Sequence, residues 1–169
     1  GDPEAAEPLY RECLAGRIET LGDEHPDTMA SRYALANTLS ALERYDEAIE
    51  LRLIELAWRR IAKGDRDSTT LNSINALSSD LEASGDPEAA EPLYRECLAG
   101  SLETFGDRHP ETMTFRYNLA GCLSELQCYE EAIELRRVEL TWCRQNNGDT
   151  DPDTLSSISG LATDLRDIG

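Results

Sequence analysis

The chain has 169 residues, of which 40% are hydrophobic, and this is enough to bury a core. Acidic residues outnumber basic ones 34 to 16, and the net charge of −18 argues against nucleic acid and membrane surfaces as partners and favours a neutral to basic protein or peptide. The five cysteines form no CxxC pair, which favours reduced thiols and a cytoplasmic location.

The first predicted element is a helix over residues 3–21. Its apolar residues recur at helical spacing, and Asp2 before Pro3 is a typical N-cap followed by proline at the first helical position. The segment GDPEAAEPLYRECLAG opens the chain and recurs unchanged from residue 85. Cys13 and its copy Cys97 fall on the apolar face, where we expect buried thiols.

The second predicted helix follows His25 and Pro26 and contains DTMASRYALANTLSALE. A histidine flanked by carboxylates could be a metal ligand or a general base. The positions equivalent to His25 and His109 in the other repeats are Asp67 and Asp151, which are common N-cap residues. We therefore interpret both histidines as helix caps and expect neither a metal site nor catalysis.

This pair of helices repeats with a period of 42 residues. One alanine and one glycine coincide in all four copies: Ala6, Ala48, Ala90 and Ala132; Gly22, Gly64, Gly106 and Gly148. The units span 1–42, 43–84, 85–126 and 127–168, and the last predicted helix covers 153–168. We expect one all-α domain over 1–169, an α-solenoid of about eight helices in stacked antiparallel pairs and an excerpt of a longer array.

The motifs GDEHPDT…ALANTL…RYDEAIEL and GDRHPET…NLAGCL…CYEEAIEL resemble the tetratricopeptide repeat, in the 42-residue form similar to that of kinesin light chains. The resemblance implies helix A and helix B pairs in a right-handed superhelix, with the A helices lining a concave groove. Arg52 and Arg136 depart from the pattern, because the family has tyrosine there. Glu55 and Glu139 stand where the family prefers a small residue.

The same resemblance implies a scaffold that binds a protein or peptide segment in the groove. Asn75 and Asn118 match asparagines that the family uses to hold a peptide backbone, since an amide both donates and accepts hydrogen bonds. Small polar residues at these positions could instead serve solubility alone. The expected groove residues are Tyr33, Asn37, Asn72, Asn75, Tyr117, Asn118, Ser159 and Arg166.

Two tryptophans alternate with glycine along the helix B positions. Trp58 and Trp142 are equivalent to Gly16 and Gly100. Packing of a large residue of one repeat against a small residue of the next would explain this alternation, and exposed binding anchors are the alternative.

Both ends of the chain carry apolar residues at helical spacing. By the logic of the repeat these two faces are complementary, which predicts head-to-tail self-association. The residues are Leu9, Tyr10, Leu14, Ile158, Leu161 and Leu165. A structural array without a dedicated ligand, or sensor repeats of a larger signalling protein, are therefore alternatives to a groove-binding scaffold. No Gly-rich phosphate loop, HExxH or GxSxG motif occurs, so we expect neither an enzyme nor a bound cofactor.

Overall fold

The computed structural model describes residues 1–168, which form eight α-helices and no strand. The helix that was predicted over 3–21 has those bounds, and the last helix begins and ends one residue before the prediction. The helices are α1 (Pro3–Leu21), α2 (Pro26–Ala41), α3 (Tyr45–Lys63), α4 (Ser68–Ala83), α5 (Pro87–Thr104), α6 (Pro110–Glu125), α7 (Tyr129–Asn146) and α8 (Pro152–Asp167).

Side-chain caps begin the helices where the sequence places them. Asp2 Oδ1 accepts a hydrogen bond from the Ala5 backbone N–H at 3.0 Å. His25 Nδ1 accepts from the Asp27 N–H at 3.2 Å, and His109 starts α6 in the same way. The interpretation of both histidines as helix caps is therefore confirmed.

The repeated glycines follow α1, α3, α5 and α7. Gly64 follows α3 with φ of 87°, and Gly106 lies in the loop after α5 with the same φ. A residue with a Cβ is strained in this left-handed region, so glycine at this point of the repeat lets the chain turn towards the next helix.

The chain divides into two compact units, unit 1 (Gly1–Asp86) with α1 to α4 and unit 2 (Pro87–Gly169) with α5 to α8. Within each unit every helix packs against the next one along the chain. Loops of a few residues join these neighbours, which makes them antiparallel pairs. A single domain over 1–169 stays a prediction.

Small and branched apolar residues form the core of each unit. In unit 1 a cluster joins α1, α2 and α3. In unit 2 the residues with at most 1% exposure include those at the equivalent repeat positions. The unit 1 cluster is Leu14, Leu35, Ala36, Leu39 and Ala48, and the unit 2 residues are Leu119, Ala120, Leu123 and Ala132.

Two residues of α1 depart from the sequence prediction. Leu14 was expected at an exposed self-association end, but it is only 9% exposed and belongs to the core cluster. Its position on α1 faces α2, which already covers it. Cys13 was expected to be buried and is exposed, whereas its copy Cys97 is buried as predicted.

Candidate functional site

In unit 1 the four predicted groove residues lie on α2 and α4. Tyr33 and Asn75 are half-buried, and Asn37 and Asn72 are exposed. Asn37 Oδ1 accepts a hydrogen bond from Arg52 Nη2 at 3.0 Å, and the Arg52 guanidinium carbon lies 5.8 Å from the centroid of the Tyr33 ring. The structure thus brings Tyr33 and Asn37 together around an arginine of α3.

That arginine belongs to a buried ion pair. Arg52 Nε donates to Asp80 Oδ2, and both residues are 4% exposed. The Ser40 hydroxyl donates to the same carboxylate oxygen at 2.9 Å and accepts from Arg52 Nη2 at 3.1 Å. This network joins α3 to α2 and α4 of unit 1 and holds Tyr33 in place. Loss of either ion-pair partner would leave a buried charge without a counter-charge.

Unit 2 repeats this arrangement with small differences. Arg136 Nε donates to Asp164 Oδ2 at 2.6 Å and Nη2 donates to the Ser124 hydroxyl at 3.4 Å. The guanidinium carbon of Arg136 lies 5.7 Å from the centroid of the Tyr117 ring. A Cβ added at Gly160 would clash with this guanidinium, so glycine lets the arginine lie against the α8 backbone.

The remaining predicted groove residues of unit 2 lie on α6 and α8. Asn118 is half-buried, and Ser159 and Arg166 are exposed. The Arg166 side chain donates to the adjacent Asp167 carboxylate, with Nε 2.7 Å from Oδ1. This contact holds the guanidinium close to its own backbone at the end of α8.

A buried glutamate lies one helical turn after Arg52 on α3 and one turn after Arg136 on α7. In unit 1, Glu55 is 1% exposed and accepts from Arg59 Nε. In unit 2, Glu139 is 4% exposed, and its Oε1 accepts from the Ser157 hydroxyl at 2.7 Å and from the Cys143 thiol at 3.0 Å. The Oε2 atom of each glutamate has no hydrogen-bond partner among the described residues. A buried carboxylate with a free lone pair favours a cationic neighbour.

Burial shifts the pKa of the side chain next to each glutamate. It lowers the pKa of the Arg59 guanidinium from its ordinary value, although the neighbouring Tyr33 and Asp67 act in the opposite direction. It raises the pKa of the Cys143 thiol to about 12, and the adjacent Glu139 carboxylate adds to this shift. The thiol next to Glu139 is therefore neutral at physiological pH.

A cavity of about 340 Å³ opens between α6, α7 and α8 of unit 2. Two aromatic side chains, a buried carboxylate and an exposed carboxylate share its wall. These groups can accept a ligand with positive charge and flat apolar surface. The lining residues are Pro110, Met113, Thr114, Tyr117, Glu139, Trp142, Cys143, Asn147, Asp153 and Ser156.

Large-against-small packing of tryptophan against glycine does not hold at Gly16, and for Trp142 it stays a prediction. Trp142 is half-buried, and its Nε1 donates to the Arg108 carbonyl at 2.9 Å. In unit 1, a Cβ added at Gly16 would have no atom within 4 Å, so no indole fills the space beside it. The packing hypothesis is wrong for Gly16, because no other side chain lies against the side of α1 that carries this glycine.

The predicted self-association residues differ in exposure. Leu9 is 66% exposed, Tyr10 39% and Leu165 46%, while Ile158 and Leu161 are half-buried. Tyr10 also borders a cavity of about 600 Å³ between α1 and α2, whose other lining residues include Tyr33 and Asn37. One of the expected end residues thus shares a surface with two of the expected groove residues.

No cluster of three or more His, Cys, Asp or Glu residues in 1–168 is arranged to hold a metal ion. Over the same range, no helix combines the length and the apolar character that crossing a bilayer requires.

Sequence reasoning missed the buried ion pairs of unit 1 and unit 2. Arg52 and Glu55 were visible only as departures from the repeat pattern, and their partners Asp80 and Arg59 were not singled out. The signal was present in the spacing, since Asp80 and Asp164 lie 28 residues after Arg52 and Arg136. A charge introduced at a core position of a repeat needs an opposite charge nearby, and both copies supply one.

A tetratricopeptide repeat profile matches residues 1–51 and 67–135, more than half of the chain. The chain belongs to the tetratricopeptide repeat family. In the terms of this family α2, α4, α6 and α8 are A helices, and α1, α3, α5 and α7 are B helices, as the resemblance implied. Among curated protein sequences none matches significantly.

Solved structures of kinesin light chain-like proteins share the fold. The TPR-like repeats of a Podosopora anserina protein described as a kinesin light chain superpose with a TM-score of 0.86 at 25% identity, covering 100% of this chain and 80% of that one. A variant of the same protein gives 0.87 with the same identity and coverage. BtubC (BKLC) from P. vanneervenii gives 0.83 at 24% identity over 100% of this chain and 67% of that one. The predicted fold class, an all-α tetratricopeptide solenoid, is confirmed.

Proposed function

We propose that the chain is a cytoplasmic interaction scaffold whose A-helix faces bind a neutral to basic segment of another protein. Tetratricopeptide repeats mediate protein–protein interaction, and the chain shares their helix-pair architecture. The observation that carries the finer proposal is the unit 2 cavity, where Tyr117 and Trp142 stand beside the buried carboxylate of Glu139. The family is a non-catalytic scaffold type, and the proposed role needs no bound metal, nucleotide or other cofactor.

Charge supports the preference for a basic partner. With 34 acidic and 16 basic residues the chain attracts cations over its surface, and an acidic segment would meet repulsion. The half-buried amides Asn75 and Asn118 lie on A helices in the two units and could hold the backbone of the bound segment through paired hydrogen bonds.

A peptide binding assay tests this function. Fluorescence anisotropy with acidic, neutral and basic peptides of equal length should show binding to the basic and neutral sets, weakened by salt. The double variant Asn75→Ala with Asn118→Ala should bind more weakly, whereas Thr20→Ala, an exposed change at the end of α1, should leave affinity unchanged. Binding confined to acidic peptides, or equal affinity of the double variant and the wild type, would show the proposal to be wrong.

Self-association is a second candidate, favoured by the exposed apolar side chains of α1 and α8. Leu9, Leu155 and Leu165 are 66%, 52% and 46% exposed, and a contact between copies would cover them. A contact between α1 of one copy and α8 of another would be heterologous and could continue along a filament. The net charge of −18 opposes it, so we expect this association to be weak and promoted by salt.

A further inference from the structure

The two units differ in what stands between their groove tyrosine and their buried glutamate. In unit 1 this space is occupied by Arg59 of the chain itself. Its guanidinium carbon lies 5.6 Å from the centroid of the Tyr33 ring, and its Nε donates to Glu55 Oε1. The Arg59 side chain is only 16% exposed, so the guanidinium is held within the unit.

In unit 2 the tyrosine and the glutamate are kept but the arginine is absent. The residues 84 positions later are Tyr117, Glu139 and, in the place of Arg59, Cys143. A thiol is far shorter than a guanidinium side chain, and the cavity of about 340 Å³ lies where unit 1 holds Arg59. Unit 1 thus shows which chemical group fits between such a tyrosine and such a glutamate.

Besides Arg59, two further positions around the cavity are more negative in unit 2 than in unit 1. Asn147 takes the place of Lys63, and Asp153 takes the place of Thr69, so both the loss of a cation and the gain of an anion make unit 2 more acidic here. Both Asn147 and Asp153 line the cavity. The cavity of unit 2 has therefore lost the positive charges that balance the site in unit 1.

The hydrogen-bond donors that face Glu139 are neutral groups. The Ser157 hydroxyl and the Cys143 thiol donate to Oε1, but both are neutral, and Oε2 has no partner among the described residues. The nearby Arg136 is engaged with Asp164 at 2.6 Å. A cationic guest would pair with a carboxylate that receives hydrogen bonds only from neutral donors among the described residues.

We propose that the unit 2 cavity binds the guanidinium of an arginine side chain from a partner protein, in the position that Arg59 holds in unit 1. This inference rests on the proposed function and names the side chain that the basic segment presents. The guanidinium donates to Glu139 and lies over the Tyr117 ring, with Trp142 beside it. Lysine is a poorer guest, because its ammonium lacks the flat, forked donor set that suits a ring face and a carboxylate together.

A peptide in which one arginine is replaced by citrulline or lysine tests the inference. Citrulline keeps the shape of arginine and removes its charge, so titration calorimetry should show affinity about tenfold or more weaker for the citrulline peptide, as loss of a charge-assisted hydrogen bond predicts. Glu139→Gln should reduce affinity for the arginine peptide by a similar factor. Glu134→Gln, an exposed change on the same helix, should leave it unchanged.

Two reciprocal variants use the internal comparison directly. Cys143→Arg should fill the cavity as Arg59 does in unit 1 and abolish arginine-dependent binding. Arg59→Cys should open a second site in unit 1, which raises the number of arginine peptides bound per chain. Circular dichroism and thermal unfolding of each variant show whether it is folded, and the gain of a site by Arg59→Cys cannot arise from misfolding.

The outcomes separate this inference from the proposed function. If basic peptides bind but arginine and citrulline versions bind equally, the arginine site is wrong and the scaffold function stands. A second probe is a single arginine with capped amino and carboxyl groups. If long peptides do not bind, but this capped arginine binds and Glu139→Gln weakens its binding, the site stands and the scaffold function is wrong. If neither binds, both proposals are overturned.

Discussion

The segment GDPEAAEPLYRECLAG forms the same helix twice, in α1 and in α5, yet the two copies differ in what they bury. Tyr10 is 39% exposed and Tyr94 only 1%. In contrast, Leu14 and Leu98 are both 9% exposed. The sequence of the segment therefore determines the helix and the burial of the leucine that faces the following A helix. Burial of the tyrosine depends on neighbours outside the segment.

The largest effect that tests this comparison is loss of the buried tyrosine. Tyr94→Ala should lower the free energy of unfolding by about 3–5 kcal/mol, because it leaves a cavity, while Tyr10→Ala at an exposed position should cost less than about 1 kcal/mol. Denaturant titration of both variants measures the difference.

The two leucines provide a matched control for that pair. Leu14→Ala and Leu98→Ala should each cost about 2–3 kcal/mol, since both side chains are equally buried. Equal costs for the two tyrosines, or unequal costs for the two leucines, would contradict the burial difference between the copies.

A smaller effect should come from the arginine of the repeated segment. Arg95 binds Glu131 with Nη1 to Oε1 at 2.5 Å and Nη2 to Oε2 at 2.7 Å, and this hydrogen bonding lowers the pKa of the Glu131 carboxyl. Arg11 makes the equivalent contact to Glu47 at 2.7 Å. Both arginine side chains are 44% exposed, so each Arg→Ala variant should lose at most about 1 kcal/mol after screening by solvent.

The pH dependence of this loss has a defined sign. A carboxyl whose folded pKa is lowered stabilises the fold above its ordinary value of 4.5, and this contribution disappears as the pH falls through the lowered value. Wild type and Arg95→Ala should therefore differ at pH 7 and converge in acid, as measured by urea unfolding across pH. A difference that persists in acid would show that packing of the arginine stem, and not the ion pair, supplies the stability.

The smallest expected effect is association through the exposed copy of the segment. If α1 of one molecule meets α8 of another, Tyr10 becomes covered and the contrast with Tyr94 diminishes in the assembly. Sedimentation velocity at high salt over about a hundredfold range of concentration should show a rising mean mass, because salt screens the repulsion between acidic copies. Leu165→Glu should abolish the rise, and Leu53→Glu, at a similarly exposed site on α3, should not. A constant monomer mass in wild type would refute the association.

Most of the fold could be predicted because its signals are local. Asp2 and His25 cap helices through side-chain bonds to residues two or three positions away, and Gly64 needs only its own backbone conformation. The period of 42 residues then carries each local signal into every repeat. The helix bounds therefore agree with the prediction to within a residue where the prediction gave both ends.

The site was harder to predict, because its contacts join residues distant in sequence. Asn37 and Tyr33 were expected in a groove, but the arginine that organises them lies on the next helix and pairs with Asp80 of the helix after that. Helical periodicity assigns a residue to a face and does not identify its partner across the core. Tyr10 and Tyr94 show the same limit, since their sequence surroundings are identical and their burial is not.

The thiol at Cys143 has a further consequence at the level of the gene. Either codon for cysteine becomes an arginine codon by a change of its first base, so a point mutation is enough to turn the open cavity of unit 2 into the filled one of unit 1. Because the tyrosine, the glutamate and the tryptophan of the site are present in both units, such a change would alter the number of open sites and leave the helix pairs as they are. If the unit 2 cavity binds arginine as proposed, an array of these repeats would gain or lose partner sites by single base changes, without the addition or deletion of a repeat.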